Sequence, residues 1–257
     1  MSQIPNNRPA LRAEGIVKRF GQIEALSGVE MQVANGEMLG ILGDNGAGKS
    51  TLLKILTGYH RPDAGQISVR GEPVAFTSVD HARSFGIECV YQDLALVNGL
   101  SIFHNMFLNR ELLRSGWPHL LDHKEMRRRA AEALMEIGVN IPSVDLEVGR
   151  LSGGQRQAIA VARAVASKAR ILLLDEPLAA MGAREAGLII DLIERLKARG
   201  DIAIVMIAHN YAQTLELCDR VMLMQHGEVT YESAAKETSV AELLDIIRRE
   251  YQAARRA

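Results

Sequence analysis

Cysteine, aromatic residues and net charge are all scarce in this sequence of 257 residues. Cys89 and Cys218 lie far apart in the sequence and have no metal-ligand spacing, so we expect free thiols in a reducing compartment. Aromatic residues make up 4% of the chain, and acidic and basic residues nearly cancel to a net charge of −1. Because this balance gives no electrostatic sign of a nucleic-acid partner, we expect no nucleic acid to be bound.

Long apolar runs are missing as well. No stretch approaches the ~20 residues that a membrane-spanning helix needs, and the N-terminus lacks the charged and then apolar pattern of a secretory signal. We therefore expect that any role at a membrane is exercised from the cytoplasmic side through a partner. The apolar content of 47% and the charged content of 24% are typical of a folded globular protein.

The start of the chain changes from polar to strand-like. Residues 1–10 are polar and contain two prolines, which predicts a disordered tail. Short alternating runs at residues 11–17 and 28–33 then predict strands, separated by a turn.

The remainder alternates between helical and strand-like patterns. Residues 93–165 predict a helical insertion. Unbroken apolar runs at residues 171–174, 202–207 and 221–224 alternate with helical stretches and predict a parallel sheet that is covered on both faces. Residues 236–257 predict a C-terminal amphipathic helix. The fold class is therefore α/β, with a β-rich start and a helical insertion.

A glycine-rich stretch between an apolar strand and a helix start has the G-x-x-x-x-G-K-[ST] pattern of a phosphate loop. Its residues are Gly43, Asp44, Asn45, Gly46, Ala47, Gly48, Lys49, Ser50 and Thr51. The glycines allow successive backbone N–H groups to converge on one anion, and the helix N-terminus adds partial positive charge. Lys49 would reach the β- and γ-phosphates, and the Ser50 hydroxyl would ligate Mg²⁺. The stretch predicts a nucleoside triphosphate site.

An acidic pair follows the apolar run at residues 171–174. Asp175 at the strand end would hold Mg²⁺ directly or through water. Glu176 points elsewhere, as consecutive strand residues do, and is positioned to deprotonate an attacking water. The alternative is a solvated acidic pair without a role.

A second anion site is predicted at Leu151-Ser152-Gly153-Gly154-Gln155, which opens a helix with a serine hydroxyl and two glycines. Read alone, Ser152 is only a helix N-cap. Its position shortly before Asp175 and Glu176 favours a functional role.

Together these segments resemble the ATP-binding subunit of an ABC transporter, from about residue 11 to residue 232. Residues 43–51 correspond to the Walker A motif, residues 171–176 to Walker B, and Leu-Ser-Gly-Gly-Gln to the family signature. Three single residues also match: Gln92 the glutamine of the Q-loop, His209 the switch histidine, and Phe20 the aromatic residue that stacks on adenine.

The resemblance implies a P-loop NTPase (RecA-like) core with an N-terminal antiparallel β subdomain and an inserted α-helical subdomain, within a domain of residues 11–235. It implies ATP and Mg²⁺ as cofactors, with Ser50, Gln92 and Asp175 at the metal. Catalysis would rest on Glu176, His209 and Gln92. Two copies would pair head to tail, so that Ser152, Gly153, Gly154 and Gln155 of one copy contact the nucleotide of the other.

Further partners follow from the same resemblance. They are transmembrane permease subunits and, indirectly, a periplasmic or extracellular solute-binding protein, with this chain at the cytoplasmic face of the membrane. Within the family, the stretches at residues 43–51, 56–65 and 176–182 are most similar to monosaccharide importers of the ribose, xylose and fructose kind, in their single-cassette form. Gly182 stands where the family's D-loop usually has Asp, and Leu178 where Thr or Ser is common.

Three alternatives stay open at this point. They are a non-transport ABC ATPase of the translation or DNA-repair type, an ABC importer for a solute other than a sugar, and a phosphotransferase with an unrelated phosphate loop.

Overall fold

The computed structural model describes residues 8–179 and 181–254. Residues 1–7 of the predicted tail and residues 255–257 of the predicted C-terminal helix lie outside the described part. Ala10, which the sequence assigned to the tail, is 2% exposed, and its N–H donates to the Val33 carbonyl at 2.8 Å. Ordered structure therefore begins before residue 11.

The described residues form ten strands and eight α-helices. The strands are β1 (Leu11–Phe20), β2 (Ile23–Val33), β3 (Met38–Leu42), β4 (Ala64–Val69), β5 (Glu72–Val74), β6 (Ile87–Val90), β7 (Ile171–Asp175), β8 (Ala203–Ile207), β9 (Arg220–Gln225) and β10 (Glu228–Ala234). The helices are α1 (Lys49–Leu56), α2 (Val79–Ser84), α3 (Ile102–Phe107), α4 (His123–Glu136), α5 (Gly153–Ala166), α6 (Ala183–Arg199), α7 (Tyr211–Leu217) and α8 (Val240–Ala254). None of these helices is long and apolar enough to cross a membrane.

The strands form two sheets. An antiparallel sheet of four strands has the order β2-β1-β4-β5. A sheet of six strands has the order β10-β9-β3-β8-β7-β6, in which all neighbours are parallel except β10 and β9. The expected parallel sheet is thus confirmed.

Alternate side chains of β7 enter two separate cores. Leu172 and Leu174 belong to a cluster with the helices of the insertion, and Ile171 and Leu173 to a cluster with the antiparallel sheet and α1. All four are 0% exposed, so β7 is covered on both faces, which explains its unbroken apolar run.

The segment between β6 and β7 carries α3, α4 and α5. Asp122 is the N-cap of α4, as predicted, because its side chain accepts from the Glu125 N–H. The buried carboxylate of Glu88 on β6 pairs with Arg110, which follows α3, at 2.6 Å. This ion pair ties the insertion to the core sheet.

Helix α7 lies close to the central strand β3. A Cβ at Gly40 would lie 2.4 Å from Thr214 Cγ2 and 2.9 Å from Cys218 Sγ, so only glycine permits this approach. Burial raises the pKa of the Cys218 thiol to about 12, and burial also raises the pKa of the Cys89 thiol on β6. Neither α7 nor α2 was predicted from the sequence.

Candidate nucleotide site

Four predicted functional segments lie at one edge of the six-stranded sheet. The phosphate loop follows β3, His209 follows β8, Asp175 ends β7 and Gln92 follows β6. These four strands are neighbours in the order β3-β8-β7-β6 and run parallel, so their carboxyl ends meet at the same edge. Segments that are up to about 160 residues apart in the chain are thereby brought together.

The phosphate loop has the backbone that an anion cradle needs. Gly43, Gly46 and Gly48 have φ angles of 146°, 84° and 100°, a region that residues with a Cβ rarely adopt. A Cβ at Gly43 would lie 2.2 Å from the Met224 carbonyl oxygen, whereas one at Gly46 would meet nothing within 4 Å. The loop therefore fits a phosphate group, whose oxygens would accept from backbone N–H groups of the loop.

Lys49 lies at the centre of this loop and is 5% exposed. Its Nζ donates to the carbonyl oxygens of Gly43 at 2.7 Å and Asp44 at 2.8 Å. An ammonium group has three donors, so these two bonds leave capacity for a phosphate oxygen. Burial lowers the pKa of Lys49, and the charges of Glu176, Asp44 and Asp175 oppose that shift.

The rest of the loop differs in exposure. Asp44, Asn45, Gly46 and Ser50 are exposed, Thr51 is half-buried and Ala47 is buried, with its N–H donating to the Asp44 carbonyl. The exposed Ser50 hydroxyl is thus open to a metal ion.

Asp175 and Glu176 are both half-buried at the end of β7. Burial raises the pKa of Asp175, and the neighbouring charge of Glu176 raises it further. Glu176 has a φ of 51°, which is uncommon for a residue with a Cβ, and its N–H donates to the Ile207 carbonyl at 3.0 Å.

The Glu176 carboxylate lies 2.5 Å from His209 Nε2. This contact joins the ends of β7 and β8 and fixes the direction of the carboxylate. A cavity of about 420 Å³ opens beside the pair and is lined largely by apolar side chains that include Leu178 and Met181. Gly182, at the predicted D-loop position, is the N-cap of α6 and has no side chain to bond the helix N-terminus.

The signature residues lie on the inserted segment rather than at a strand end. Ser152 is the N-cap of α5, with its Oγ accepting from the Gln155 N–H at 3.3 Å. The Gln155 side chain accepts from the Ser152 N–H at 3.1 Å, which completes a capping box. Gly154 is buried and packs tightly, because a Cβ there would lie 3.0 Å from Glu185 Cβ.

Phe20 ends β1 and is 44% exposed. Its ring packs edge-on against His60 at 5.3 Å, and Lys18 Nζ lies 5.5 Å from the ring centroid. His60 was not singled out from the sequence, since no local pattern links it to a residue 40 positions earlier. Gln92 is exposed, two residues after the end of β6.

The donors at this edge suit a hard cation better than a zinc-type centre. Within residues 8–179 and 181–254, no group of three or more His, Cys, Asp and Glu side chains could hold a metal ion. Ser50 and Asp175 instead offer single oxygen donors, which fits Mg²⁺ because this ion is usually held by few protein oxygens together with phosphates.

The family of the chain follows from comparison with known proteins. The profile of the ABC transporter family matches residues 26–179, which is more than half of the chain. The chain belongs to the ABC transporter family. It is therefore an ATP-binding cassette that hydrolyses ATP, and the resemblance described from the sequence is confirmed.

Curated relatives of this cassette align over most of its length. The xylose/arabinose import ATP-binding protein of Sulfolobus acidocaldarius is 42% identical and aligns over 92% of this chain and 93% of its own. The fructose import ATP-binding protein of Rhizobium meliloti is also 42% identical, over 85% and 86%. The ribose import ATP-binding protein of Chromobacterium violaceum is 40% identical over 83% of this chain, which spans only 42% of that longer relative.

Solved structures share the fold. An ABC transporter cassette in its ADP conformation superposes with a TM-score of 0.77 and is 27% identical, with 89% of this chain and 92% of that chain covered. A dimeric post-hydrolysis cassette bound to ADP and Pi gives 0.73 and 25% identity, with 88% and 98% covered. The P-loop NTPase fold predicted from the resemblance is confirmed.

Proposed function

We propose that this cassette is the ATP-hydrolysing subunit of a monosaccharide importer, and that it works at the cytoplasmic face of a membrane. The observation that carries the proposal is the meeting of Lys49, Asp175, Glu176 and His209 at one sheet edge, within a chain whose curated relatives are import ATP-binding proteins for xylose/arabinose, fructose and ribose. The first two relatives are matched over nearly their whole length, which supports a single-cassette subunit.

Binding of ATP would begin at the phosphate loop. Lys49 would use the donor that the Gly43 and Asp44 carbonyls leave free to bind the β- and γ-phosphates, and the backbone N–H groups of the loop would hold their other oxygens. Phe20 stacks on adenine. The exposed ring and the nearby Lys18 ammonium support this assignment, because both suit a π-rich base beside a phosphate chain.

Ser50, Asp175 and Gln92 would hold Mg²⁺, and the ion would supply positive charge to offset the charge that develops on the phosphates. Glu176 takes the proton of the attacking water. His209 holds the Glu176 carboxylate through its 2.5 Å contact and meets the γ-phosphate when nucleotide is bound. The raised pKa of Asp175 supports a cation site there, because a bound cation offsets the cost of the buried charge.

The other half of each site would come from a second copy of the chain. Ser152, Gly153, Gly154 and Gln155 open a helix of 14 residues, and a helix N-terminus favours an anion such as the γ-phosphate. The dimeric neighbour bound to ADP and Pi supports a pair of copies, which would be arranged head to tail so that each signature faces the other copy's phosphate loop. Closure on two ATP molecules would drive permease subunits, which a solute-binding protein supplies with sugar.

Uptake of labelled xylose, fructose and ribose tests the sugar assignment. A strain in which the gene is deleted should lose uptake of at least one of these sugars. The wild-type gene should restore uptake, and the Lys49→Ala variant should not, because it lacks the phosphate-binding cation. Uptake of all three sugars at the wild-type rate in the deletion strain would refute a role in their import and favour another solute or a non-transport role.

A further inference from the structure

The segment that follows Gln92 has a backbone that its own sequence does not favour. Leu94 and Ala95 are consecutive residues with φ angles of 58° and 46°. This left-handed region is disfavoured for residues with a Cβ, and neither side chain has a polar group that could stabilise it locally. The Leu94 N–H donates to the Tyr91 carbonyl at 2.9 Å and the Ala95 N–H to the Asp93 carbonyl at 2.8 Å, so local bonds hold the two amides. The carbonyl groups of Leu94 and Ala95 take their partner from outside the segment.

Arg163 on α5 makes the contact that holds this backbone. Its Nη1 donates to the Ala95 carbonyl at 2.8 Å and its Nη2 to the Leu94 carbonyl at 2.8 Å. The planar guanidinium thus binds two consecutive carbonyl oxygens with the two arms of one fork, a geometry that lysine cannot reproduce. Arg163 is 68 and 69 residues away from its two partners in sequence.

The far end of the same segment is held by α3. Asn105 is 0% exposed, and its Oδ1 accepts from the Val97 N–H at 2.7 Å. Its Nδ2 lies within hydrogen-bond distance of the carbonyl oxygens of Val97, Leu100 and Ser101. Residues 94–101 are therefore fixed to α3 and α5, whereas Gln92 lies two residues after the end of β6 in the core sheet. Gln92 and Asp93 connect the inserted helices to the core sheet, in a turn that the Leu94 N–H closes on the Tyr91 carbonyl at 2.9 Å.

The signature motif opens the helix that carries Arg163. Ten residues separate Gly153 from Arg163, which is a distance of about 15 Å along a helix. A shift of α5 when Ser152 meets a phosphate would therefore reach the Leu94 and Ala95 carbonyls through a continuous helix. The charged groups around Arg163 are Glu88, Asp93, Arg83 and Arg110, which lie on or beside the β6 end of this connection to the core sheet.

We propose that Arg163 is a positioning residue that sets the place of Gln92 at the metal by holding the Leu94–Ala95 backbone to the signature helix. This inference rests on the proposed role of Gln92 as a Mg²⁺ ligand. Binding of a phosphate at the signature motif would then change the position of Gln92, because α5 and Arg163 connect the two. Arg163 acts through Leu94 and Ala95 and does not touch the nucleotide.

The first test measures the segment without nucleotide. In the Arg163→Gln variant of the full chain, the amides of Leu94 and Ala95 should exchange hydrogen at least about tenfold faster than in the wild type, because Arg163 no longer holds the carbonyl groups of this turn. The amides of β7 and α6 should keep their wild-type exchange rates. Wild-type exchange at Leu94 and Ala95 would overturn the inference, and faster exchange throughout the chain would overturn it in favour of a purely structural role.

The second test measures ATP hydrolysis against Mg²⁺ concentration at fixed ATP. Arg163→Gln should raise the half-saturating Mg²⁺ concentration by about 10- to 100-fold, the usual effect of losing a group that orients a metal ligand. The KM for ATP at saturating Mg²⁺ should stay within about twofold, because the phosphate loop is untouched. Arg163→Lys keeps the charge without the fork, so it should fold like the wild type and show an intermediate shift.

Two further variants separate this inference from the proposed function. Arg127→Gln removes an arginine of the same inserted region that pairs with Asp145 and should leave the Mg²⁺ dependence unchanged. Gln92→Ala should raise the half-saturating Mg²⁺ concentration at least as much as Arg163→Gln. Wild-type Mg²⁺ dependence in Gln92→Ala would refute the metal role of Gln92. A shift in Gln92→Ala without one in the Arg163 variants would overturn only the role of Arg163.

Discussion

Replacement of Glu176 by glutamine is the most direct test of the chemistry at the sheet edge. Glutamine has the same length and branching, so it meets the same backbone condition at a φ of 51°. Its amide oxygen can still accept from His209 Nε2, which lies 2.5 Å from the present carboxylate. The substitution therefore removes the negative charge and the basicity while leaving the geometry in place.

Loss of the base should lower kcat by about 10²- to 10⁴-fold, which corresponds to roughly 3–5 kcal/mol of transition-state stabilisation. Binding of Mg²⁺ and ATP should be kept. The negative charge of Glu176 raises the pKa of Asp175, so its removal makes Asp175 easier to ionise and leaves a better cation ligand. The variant should therefore bind nucleotide, fail to hydrolyse it and accumulate as a closed dimer.

The assays are phosphate release at saturating Mg²⁺ and ATP, and light scattering with and without ATP. Glu194→Gln is the matched control, because Glu194 is an exposed residue of α6 and its replacement should leave kcat within about twofold of the wild type. Hydrolysis by Glu176→Gln within about threefold of the wild-type rate would show that another group takes the proton of the water.

Three other substitutions test separate parts of the site. Ser152→Arg should prevent formation of the ATP-dependent dimer, measured by light scattering, while ATP still binds the monomer. Ser143→Arg, on an exposed loop, is the control. A dimer that persists in Ser152→Arg would argue against a contact between Ser152 and the nucleotide of the other copy. Asp175→Asn should raise the Tm of the nucleotide-free protein near neutral pH, because the raised pKa of Asp175 means that its charged form destabilises the fold. The gain in Tm should shrink at lower pH, where the wild-type carboxyl is protonated. An unchanged Tm at pH 7 would contradict this prediction. Gly43→Ala should unfold at a lower temperature than Gly46→Ala, because only the first substitution places a Cβ against the Met224 carbonyl. We expect a difference of about 1–3 kcal/mol in the free energy of unfolding. Equal melting curves for the two variants would contradict the described loop.

The α/β fold and its central sheet could be predicted because their signals are local. Buried parallel strands such as β7 and β8 appear as unbroken apolar runs, and the phosphate loop has a fixed glycine spacing. Local sequence signals did not predict the parts of the fold that tertiary contacts determine. Strand β2 spans 11 residues through Gly28, where the sequence predicted only the second half, because pairing with β1 supports the whole strand.

Some backbone conformations at the site could not be predicted from the sequence either, because distant residues stabilise them. The residue types near Leu94 and Ala95 do not indicate left-handed backbone, since the partner of both carbonyl groups is Arg163 on a distant helix. The left-handed φ of Glu176 likewise depends on a hydrogen bond to Ile207 on a neighbouring strand. The roles assigned to Gln92, Phe20 and Ser152 stay predictions, whose positions in the fold are now defined.

Neither native thiol is expected to react readily with labelling reagents, since Cys218 is buried and Cys89 is half-buried. Maleimide and nitroxide reagents react with thiolates, and at a pKa of about 12 only on the order of one Cys218 thiol in 10⁵ is ionised at pH 7. Burial suppresses the ionisation of Cys89 as well. Cysteines introduced at exposed positions, such as Ser143 on the inserted region and Leu188 on α6, would thus carry spectroscopic labels without removal of the native pair. Distances between such labels could follow the approach of two copies during a catalytic cycle.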